Sequence, residues 1–332
     1  MSDVAALAGV GVKTVSRVIN EEPNVSLKTK EKVLRAVQQL GYQQDLYAGN
    51  LRRSDRRTRT LGLLISSVAN PYASTLHRGV EGEAARRGTA VFAASLDDDP
   101  EKEQRLFDAF VQRRVDGLIL TAVGTSQSYI SKEHERGTPM VFVDRIPQGV
   151  TADVIVADNF DGAFNGTNHL LKHGHRRIAY FGDNPRIQTS TARRDGYSHA
   201  LMLANVPVAP ELIFANFQTE KQTYAKVLEF LQLPDPPTAI FSGQNLITII
   251  IVRALRDLGL SNKIALVGFD DFELADLLEP PLTVVAQDPE QIGILAAKRI
   301  FERLDGDTSP PSTIIVPTKF IVRGSGEIRA QH

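Results

Sequence analysis

The amino-acid sequence predicts an α/β protein in which a small all-α N-terminal domain precedes two doubly wound parallel-sheet lobes. From residue 61 onward, short β-branched runs alternate with amphipathic helical segments, and this pattern occurs twice. The first 43 residues instead contain three short helical patterns. A length of 332 residues suits two or three folding units.

Composition narrows the class of protein. Hydrophobic residues make up 42% and charged residues 23% of the chain, as in ordinary globular proteins. There is no cysteine, which excludes disulfides, thiolate metal sites and a cysteine nucleophile. No stretch reaches the ~18 apolar residues of a membrane span, and the first residues lack the pattern of a signal peptide. We therefore expect a cytoplasmic protein with no membrane partner.

Charge is distributed unevenly along the chain. Residues 1–60 carry eleven basic and six acidic residues, a net charge of +5, whereas residues 61–332 carry 27 basic and 33 acidic residues, a net charge of −6. A basic head on an acidic body presents one face to phosphate. The same asymmetry is compatible with a merely solvated basic surface.

The N-terminal helices have recognisable starts and ends. The first pattern runs from Asp3 to Leu7 with Ser2 as its cap, and Gly9 and Gly11 separate it from the second. The second helix places Val15, Val18 and Ile19 on one stripe. Ser26 caps the third helix and Gly41 ends it. The residues that we expect to face inward from this helix are Leu27, Val33, Leu34, Val37 and Leu40.

Two short helices joined by a tight glycine turn and braced by a third predict a helix-turn-helix. The outer face of the second helix carries hydroxyl side chains together with Lys13 and Arg17. Hydroxyls bind phosphate oxygens, and the cationic donors reach guanine O6 and N7 in a major groove. A generic three-helix bundle with a polar outer face fits the pattern equally well.

The run DVAALAGVGVKTVSRVIN followed by VSLKTKEKVLRAVQQLGY closely resembles the headpiece of the LacI (lactose-repressor) family. The resemblance implies that Val12, Lys13 and Arg17 contact base edges. It also implies phosphate contacts from Thr14, Ser16, Asn20, Ser26, Thr29 and Tyr42. Because Val12 is apolar, it suits a thymine methyl group and not a donor–acceptor pattern.

Residues 44–60 are polar, basic and poor in core residues, which predicts a linker. The resemblance implies that this segment forms a hinge helix on operator DNA and that Leu51, with Ala48 on the same side, enters the minor groove. Gly49 lowers helix propensity by about 1 kcal/mol relative to alanine. We therefore expect the hinge to order only with DNA and a partner subunit.

The remaining chain, 61–332, is predicted to form the two lobes, with lobe 1 at about 61–157 and 288–318 and lobe 2 at about 158–287 and 319–330. Predicted strands are 61–67, 90–95, 116–122, 139–144, 153–158, 177–182, 238–243, 264–269, 282–287 and 313–318. Predicted helices between them include 73–88, 101–114, 160–173 and 246–259. Ligands of such sheets bind beyond the carboxyl ends of the strands, so we expect a site between the lobes.

The strand ends supply polar groups suited to a sugar or a nucleobase, and two aromatic residues could stack on its flat face. The predicted effector-binding residues are Tyr72, Thr121, Asp144, Arg145, Thr189, Thr191, Arg193, Phe217, Asn245 and Asp270. Two alternatives remain open at this point. Asp270 and Asp271 could cap a helix, and Arg145 could pair with an acidic neighbour. His173 and His175, beside Gly174, fit a helix end better than a metal site.

The family resemblance extends over essentially the whole chain through segments such as NPYASTLHRGVE, PMVFVDR and ALVGFDDFELAD, which are similar to the family's core of the periplasmic-binding-protein type I fold. It implies that Asp270 accepts two hydroxyl donors and that Arg193 is a charged clamp. Leu246 stands where the family commonly has aspartate, which removes a carboxylate from the site and adds apolar bulk.

Two other classes of protein compete with a regulator. A dinucleotide-dependent enzyme would need a G-x-G-x-x-G motif after a strand, but GVGVKT lies between two short helices. Walker, nucleophile-elbow and H-E-x-x-H motifs are also absent from the sequence. A solute-binding protein, exported or cytoplasmic, shares the two lobes but has no use for a basic helix-turn-helix.

The sequence therefore predicts a homodimeric, non-enzymatic transcriptional regulator, most simply a repressor, that binds a palindromic operator in double-stranded DNA. A sugar or related metabolite between the lobes would control its affinity for DNA. No cofactor and no metal ion is expected. The sequence leaves open whether the effector is an inducer or a corepressor.

Overall fold

The computed structural model describes residues 1–19, 22–23, 25–42, 57–216 and 219–330. The chain divides into two compact units, Met1–Thr58 and Arg59–His332. Each unit has a core of its own. No helix in the described ranges has the length and apolar character needed to cross a membrane.

The described part of the first unit contains three helices, α1 (Ser2–Ala8), α2 (Val12–Ile19) and α3 (Leu27–Gln39). Gly9 ends α1 in the left-handed conformation, with φ of 65°. The side chain of Ser26 caps α3 by accepting a hydrogen bond from the backbone N–H of Thr29. The predicted order of three short helices is confirmed. Ser2 is not a cap, because α1 begins at that residue and Met1 occupies the cap position.

The core of the first unit is built from small apolar residues, chiefly Val4, Ala8, Val15, Val18 and Val33. The prediction that Leu27, Leu34 and Leu40 face inward is wrong, because these side chains are exposed. A core of alanine and valine brings three short helices close together. Only the narrow stripe of α3 that contains Val33, Ala36 and Val37 then reaches it.

The second unit contains two six-stranded sheets. The first has the strand order β11-β5-β4-β3-β1-β2, and all its neighbouring strands are parallel. Its strands are β1 (Thr60–Ile65), β2 (Ala90–Ser95), β3 (Gly117–Leu120), β4 (Met140–Val143), β5 (Asp153–Ala157) and β11 (Thr313–Val316). This sheet forms lobe 1.

The second sheet has the order β12-β10-β9-β8-β6-β7 and forms lobe 2. Its strands are β6 (Ile178–Gly182), β7 (Ile213–Ala215), β8 (Ala239–Ser242), β9 (Ala265–Phe269), β10 (Thr283–Ala286) and β12 (Lys319–Ile321). All pairs are parallel except β10 with β12, which is antiparallel. The predicted pair of parallel-sheet lobes is confirmed. The short edge strands β7 and β12 were not predicted.

The helices of the second unit cover the sheets. They are α4 (Pro71–Arg86), α5 (Pro100–Gln112), α6 (Ser131–Glu135), α7 (Asn159–Lys172), α8 (Gln188–Leu203), α9 (Glu220–Leu231), α10 (Asn245–Asp257) and α11 (Pro289–Leu304). Three of them begin with a capping side chain followed by proline: Asn70 before α4, Asp99 before α5 and Asp288 before α11. Proline suits the first helical position, and α4 and α5 therefore begin one or two residues earlier than predicted.

The chain crosses between the lobes three times. It passes from β5 of lobe 1 to α7, which packs on the sheet of lobe 2, and returns from β10 to α11, which packs on the sheet of lobe 1. The third crossing joins β11 to β12 through residues 317–318. Both lobes are consequently discontinuous in sequence.

Two helix pairs pack with their backbones in contact. In lobe 1, a Cβ added to Gly293 of α11 would lie 2.2 Å from the carbonyl oxygen of Leu76 in α4, and one added to Gly79 would lie 2.2 Å from that of Glu290. In lobe 2, a Cβ on Gly196 of α8 would lie 2.3 Å from the carbonyl oxygen of Phe160 in α7. Only glycine permits this approach.

We expect Gly293→Ala to lower the free energy of unfolding by about 1–3 kcal/mol, because α4 and α11 must separate to admit the methyl group. Urea denaturation measures this change. Gly82→Ala on the exposed side of α4 is the matched control, since nothing lies within 4 Å of the added Cβ. It should raise stability by up to about 1 kcal/mol through helix propensity. Equal stability of the two variants would contradict the backbone-contact interpretation.

Candidate DNA interface and effector cleft

Helix α2 has one buried face and one solvent face. Val15 and Val18 are buried in the core of the first unit, whereas Lys13 and Arg17 are exposed and Val12 is 48% exposed. The three predicted base-contacting residues therefore share the solvent face of one helix. Valine, lysine and arginine side chains there are available to an apolar, a cationic and a bidentate contact respectively.

The predicted phosphate contacts differ in their surroundings. Thr14 and Ser16 are half-buried on α2. The hydroxyls of Ser26 and Thr29 lie 2.9 Å apart at the start of α3, so they already bond to each other. Tyr42 is half-buried against the core of the first unit. Asn20 lies outside the described residues, as do the hinge residues Ala48 and Leu51 and all of 43–56.

Arg17 forms an ion pair within its own unit. Its Nε lies 3.7 Å from a carboxylate oxygen of Glu22, and both side chains are about half exposed. An exposed pair of this kind contributes at most about 1 kcal/mol. The guanidinium can therefore leave Glu22 for a base edge at small cost.

A cleft of about 320 Å³ separates the two lobes. It lies beyond the carboxyl ends of strands from both sheets, where parallel α/β sheets bind ligands. Ser66 and Ser67 follow β1, Asp144 and Arg145 follow β4, and Asp270 follows β9. The cleft contains four aspartates and two arginines, a strongly polar lining.

Arg193 of α8 is held rigidly on the lobe 2 side. Its Nε donates to the Oδ1 of Asn159 at 2.8 Å, and an Nη donates to the carbonyl of Gly243 at 2.7 Å. The guanidinium carbon lies 3.8 Å from the centre of the Phe269 ring, a cation–π distance. The same Nη lies 3.8 Å from Asp270, too far for a hydrogen bond. The predicted charged clamp is thus oriented by neutral groups and an aromatic face.

Asp144 and Asp270 occupy equivalent positions in the two lobes. Each follows a central strand and adopts a left-handed backbone, with φ of 68° and 71°. Aspartate tolerates this region better than most residues. Asp270 accepts a 2.6 Å hydrogen bond from Gln287 and does not cap a helix, since no helix begins at 270–271. Burial raises the pKa of Asp144, an effect that Arg145 and Arg193 partly oppose.

Arg145 forms ion pairs with acidic neighbours, which is the alternative that the sequence left open for this residue. An Nη lies 2.9 Å from Asp98, and its Nε lies 3.5 Å from Asp144. Burial alone lowers the pKa of Arg145, but the two carboxylates outweigh it and raise the pKa. Asp98 belongs to the loop after β2, so this pair links two loops of lobe 1 at the cleft.

Three buried polar atoms at the cleft have no hydrogen-bond partner among the described residues: the Tyr72 hydroxyl, the Nε of Arg145 and the Oε1 of Gln287. Buried polar groups are normally bonded. Burial, followed by the charges of Asp144 and Asp270, raises the pKa of Tyr72, so its hydroxyl remains a donor at neutral pH. The cleft therefore contains one hydroxyl donor and one acceptor without a partner, whereas the Nε of Arg145 keeps its ion-pair contact with Asp144.

Six predicted effector residues line the cleft: Tyr72, Asp144, Arg145, Thr189, Arg193 and Asp270. Three lie outside its lining. Thr121 is buried, and the hydroxyl of Thr191 donates to the Pro185 carbonyl. Asn245 donates to the Oδ1 of Asn70 at 2.9 Å, across the two lobes. Phe217 lies outside the described residues.

Sequence reasoning missed other lining residues, including Asn70, Asp98, Asp183, Ser190, Gln244 and Gln287. Several follow a strand directly, as Asp183 follows β6 and Gln287 follows β10. That position after an apolar run was the available signal. Asp98 does not follow a strand directly, because it lies three residues after the end of β2. It reaches the cleft through a turn in which its φ is 53°. Leu246, expected to add apolar bulk, does line the cleft.

Comparison with known proteins places these features in context. Residues 1–45 match the family described as bacterial regulatory proteins, lacI family, and residues 167–326 match a periplasmic binding protein-like domain. The HTH-type transcriptional repressor PurR of Actinobacillus pleuropneumoniae serotype 3 is 29% identical over 329 residues, which cover 98% of this chain and 97% of that protein.

Solved structures are similar over the same length. A transcriptional regulator CelR in complex with cellobiose is 32% identical, with a TM-score of 0.73, and the match covers 97% of this chain and 98% of that chain. The lac repressor dimer bound to operator and the anti-inducer ONPF is 25% identical, with a TM-score of 0.86 and 98% coverage of both chains.

We expect Asp183→Asn to raise the free energy of unfolding at pH 7. Burial raises the pKa of Asp183 above its ordinary value of 3.8, and the neighbouring backbone N–H of Asn184 opposes this only in part. An acid with a raised folded-state pKa destabilises the fold while ionised, and this penalty disappears as the pH falls through that pKa. The stability difference between variant and wild type should therefore shrink on acidification.

Chemical denaturation between pH 7 and pH 4 measures this difference. Asp195→Asn, at an exposed position of the same helix α8, is the control and should leave stability nearly unchanged. A variant at Asp183 that is less stable than wild type at pH 7 would show that the carboxylate is a net stabilising group.

Proposed function

The chain belongs to the LacI family of bacterial regulatory proteins, and we propose from this premise how its headpiece and cleft work together. It is a DNA-binding transcriptional regulator, not an enzyme, since its full-length relatives are transcriptional repressors. That likeness gives no support to a solute-binding protein without a regulatory role. The observation that supports this mechanism is that a polar cleft with an unpaired hydroxyl donor and an unpaired acceptor belongs to the same chain as an exposed helix face with Val12, Lys13 and Arg17.

We divide the chain into a headpiece at 1–43, a linker with hinge helix at 44–60 and a sensing body at 61–332. The separation of Met1–Thr58 from Arg59–His332 supports a boundary near residue 60. Within the body, lobe 1 comprises about 61–157 and 288–318, and lobe 2 about 158–287 and 319–330. The membership of the strands in the two sheets supports this division.

The headpiece is proposed to place α2 in the major groove, with Val12, Lys13 and Arg17 against base edges. The exposure of all three supports this assignment. Two headpieces of a dimer would occupy successive major-groove turns ~34 Å apart on a palindromic operator. Thr14, Ser16, Asn20, Ser26, Thr29 and Tyr42 would bind phosphates and fix the register. Ala48 and Leu51 would bind the central minor groove.

The edge of the sheet in lobe 1 supports the proposal of a dimer. Strand β2 is an edge strand, and its alternate residues include Phe92, which is 46% exposed. An exposed apolar strand edge is a site of association unless another chain covers it. Pairing of two bodies along this edge would hold two headpieces on one operator.

The cleft is proposed to bind a small polar effector, either sugar-like or nucleobase-like. Arg193 and Arg145 would donate, Asp144 and Asp270 would accept from hydroxyl or ring N–H groups, and Tyr72 with Thr189 would complete the lining. The volume of about 320 Å³ suits a molecule of this size. Effector binding would change the angle between the lobes and thereby the spacing of the headpieces.

Coupling between the two sites is reciprocal. An effector changes DNA affinity only to the extent that it prefers one angle between the lobes, so DNA must change effector affinity by the same factor. The bond between Asn245 and Asn70 and that between Gln188 and the Ile146 backbone cross from lobe to lobe. These two hydrogen bonds stabilise the described angle between the lobes when no effector is bound. An effector that changes the angle must break them, and one that favours this angle must strengthen them.

We expect Arg17→Ala to weaken operator binding by about 1–3 kcal/mol and to relax selection at one base pair, because a bidentate base contact is lost. Selection of bound fragments from a genomic DNA pool at several salt concentrations, followed by sequencing, measures both effects. Arg136→Ala removes an exposed, ion-paired arginine from lobe 1 and should change neither. Unaltered base preference in Arg17→Ala would remove this residue from the recognition face.

We expect Asp270→Asn to weaken effector binding more than tenfold, since the amide offers one acceptor oxygen where the carboxylate offers two. Thermal unfolding against a panel of sugars and purine bases first identifies a stabilising compound. That compound is then titrated into wild type, Asp270→Asn and the control Asp271→Asn, whose carboxylate binds Arg323 at the surface. A similar loss in both variants would assign the effect to local unfolding.

A further inference from the structure

Two histidines of α7 and one glutamate from the C-terminal segment meet on lobe 2. His169 and His173 lie one helical turn apart, and Glu327 follows the turn Gly324–Gly326. The Nε2 atoms of the two histidines lie 3.0 Å and 3.5 Å from the Oε1 of Glu327. All three candidate ligand atoms lie within 4.8 Å of one another. None of the three residues lines the cleft between the lobes.

We propose that His169, His173 and Glu327 form a binding site for one divalent transition-metal ion of the Zn²⁺ or Co²⁺ class. Tetrahedral ligands ~2.0–2.1 Å from such an ion lie ~3.3 Å from one another. The distances of 3.0 Å and 3.5 Å to Glu327 lie on either side of this value. Two imidazoles and a carboxylate suit these ions better than Ca²⁺ or Mg²⁺, which prefer oxygen.

His173 is oriented as a metal ligand. Its Nδ1 lies 2.9 Å from the carbonyl oxygen of His169, which can only accept a hydrogen bond, so Nδ1 carries the proton. In the neutral ring the lone pair is then on Nε2, which faces the carboxylate of Glu327. Two acceptors in contact require a proton or a cation between them. A backbone carbonyl bonded to Nδ1–H is also the usual support of a metal-bound histidine.

His169 must change its tautomer to join the site. Its Nε2 also lies 3.1 Å from the carbonyl oxygen of Gly326, to which it donates when no metal is bound. Metal binding moves that proton to Nδ1 and breaks the bond to Gly326. The ring itself stays in place because it packs edge-on against Phe320, with 5.0 Å between ring centres. The tautomer change and the loss of this hydrogen bond lower the metal affinity relative to a site whose ligands need no rearrangement.

The cluster is open to solvent on one side. The side chains of His169 and His173 are 13% and 21% exposed, whereas that of Glu327 is 50% exposed. Water can therefore reach the remaining coordination position. His175 is not a further ligand, because both its ring nitrogens are bonded, to the hydroxyl of Thr238 and the carbonyl of Ile328. A bound ion would join the C-terminal segment to α7.

Titration of the full-length, untagged protein with Co²⁺ tests the site, with the visible absorption of the ion as the signal and Zn²⁺ displacement as confirmation. We expect one ion per protomer, and affinity lowered at least about tenfold in His173→Ala and in Glu327→Gln. His77→Ala is the control, since it removes a half-buried histidine of lobe 1 and should bind as wild type does. Zn²⁺ should raise the thermal unfolding temperature of wild type and His77→Ala only.

Two results would overturn the proposal. One is the absence of Co²⁺ and Zn²⁺ binding to folded wild type at millimolar concentration, which would make the cluster a simple histidine–carboxylate ion pair. The other is stoichiometric binding of unchanged affinity in both His173→Ala and Glu327→Gln, which would place the ion elsewhere. Circular dichroism of each variant without metal verifies that it is folded before titration.

Discussion

The effector cleft depends on two pairs of helices whose backbones touch. In lobe 1 the pair is α4 with α11, and in lobe 2 it is α7 with α8, joined through Gly79, Gly293 and Gly196. Helix α4 begins at the cleft with Tyr72, and α8 carries Ser190 and Arg193 into it. Because close backbone contact at these glycines resists sliding of one helix along the other, we expect the part of the lining that these helices carry to move with its lobe. In the proposed mechanism, effector binding would then change the angle between the lobes more than the structure within either lobe.

Several groups that line the cleft lower the stability of the free protein. Burial raises the pKa of Asp144 and Asp183, so their ionised forms are held in a place that disfavours them. The Tyr72 hydroxyl and the Oε1 of Gln287 stay buried without hydrogen-bond partners among the described residues. Such groups weaken a fold unless something binds them. Under the proposed function, an effector that bonds to these groups would remove part of their cost to stability.

Much of this architecture was readable from periodicity. The central strands are continuous apolar runs, since parallel strands buried on both faces must be, and the residues directly after them, such as Asp144 and Asp270, reach the cleft. Edge strands escaped prediction because β7 and β12 have three residues each and are only half-buried or exposed. The leucines of α3 were misplaced because helical spacing alone does not say how wide a buried stripe is. Thr121 is buried outside the lining, since a position at a strand end does not fix the direction of a side chain. Asn245, the first residue of α10, bonds instead to Asn70 of the lining.

The three crossings between the lobes have a consequence for how this protein can change over generations. Each lobe is assembled from segments that lie far apart in sequence, and the last two strands, one for each lobe, are separated by residues 317–318 alone. A single recombination event cannot therefore import or delete one lobe, because every breakpoint between β1 and β12 divides the strands of at least one sheet. The headpiece is one continuous segment at the start of the chain. Operator preference can be exchanged between relatives in one step, whereas the sensor must be inherited whole and altered residue by residue.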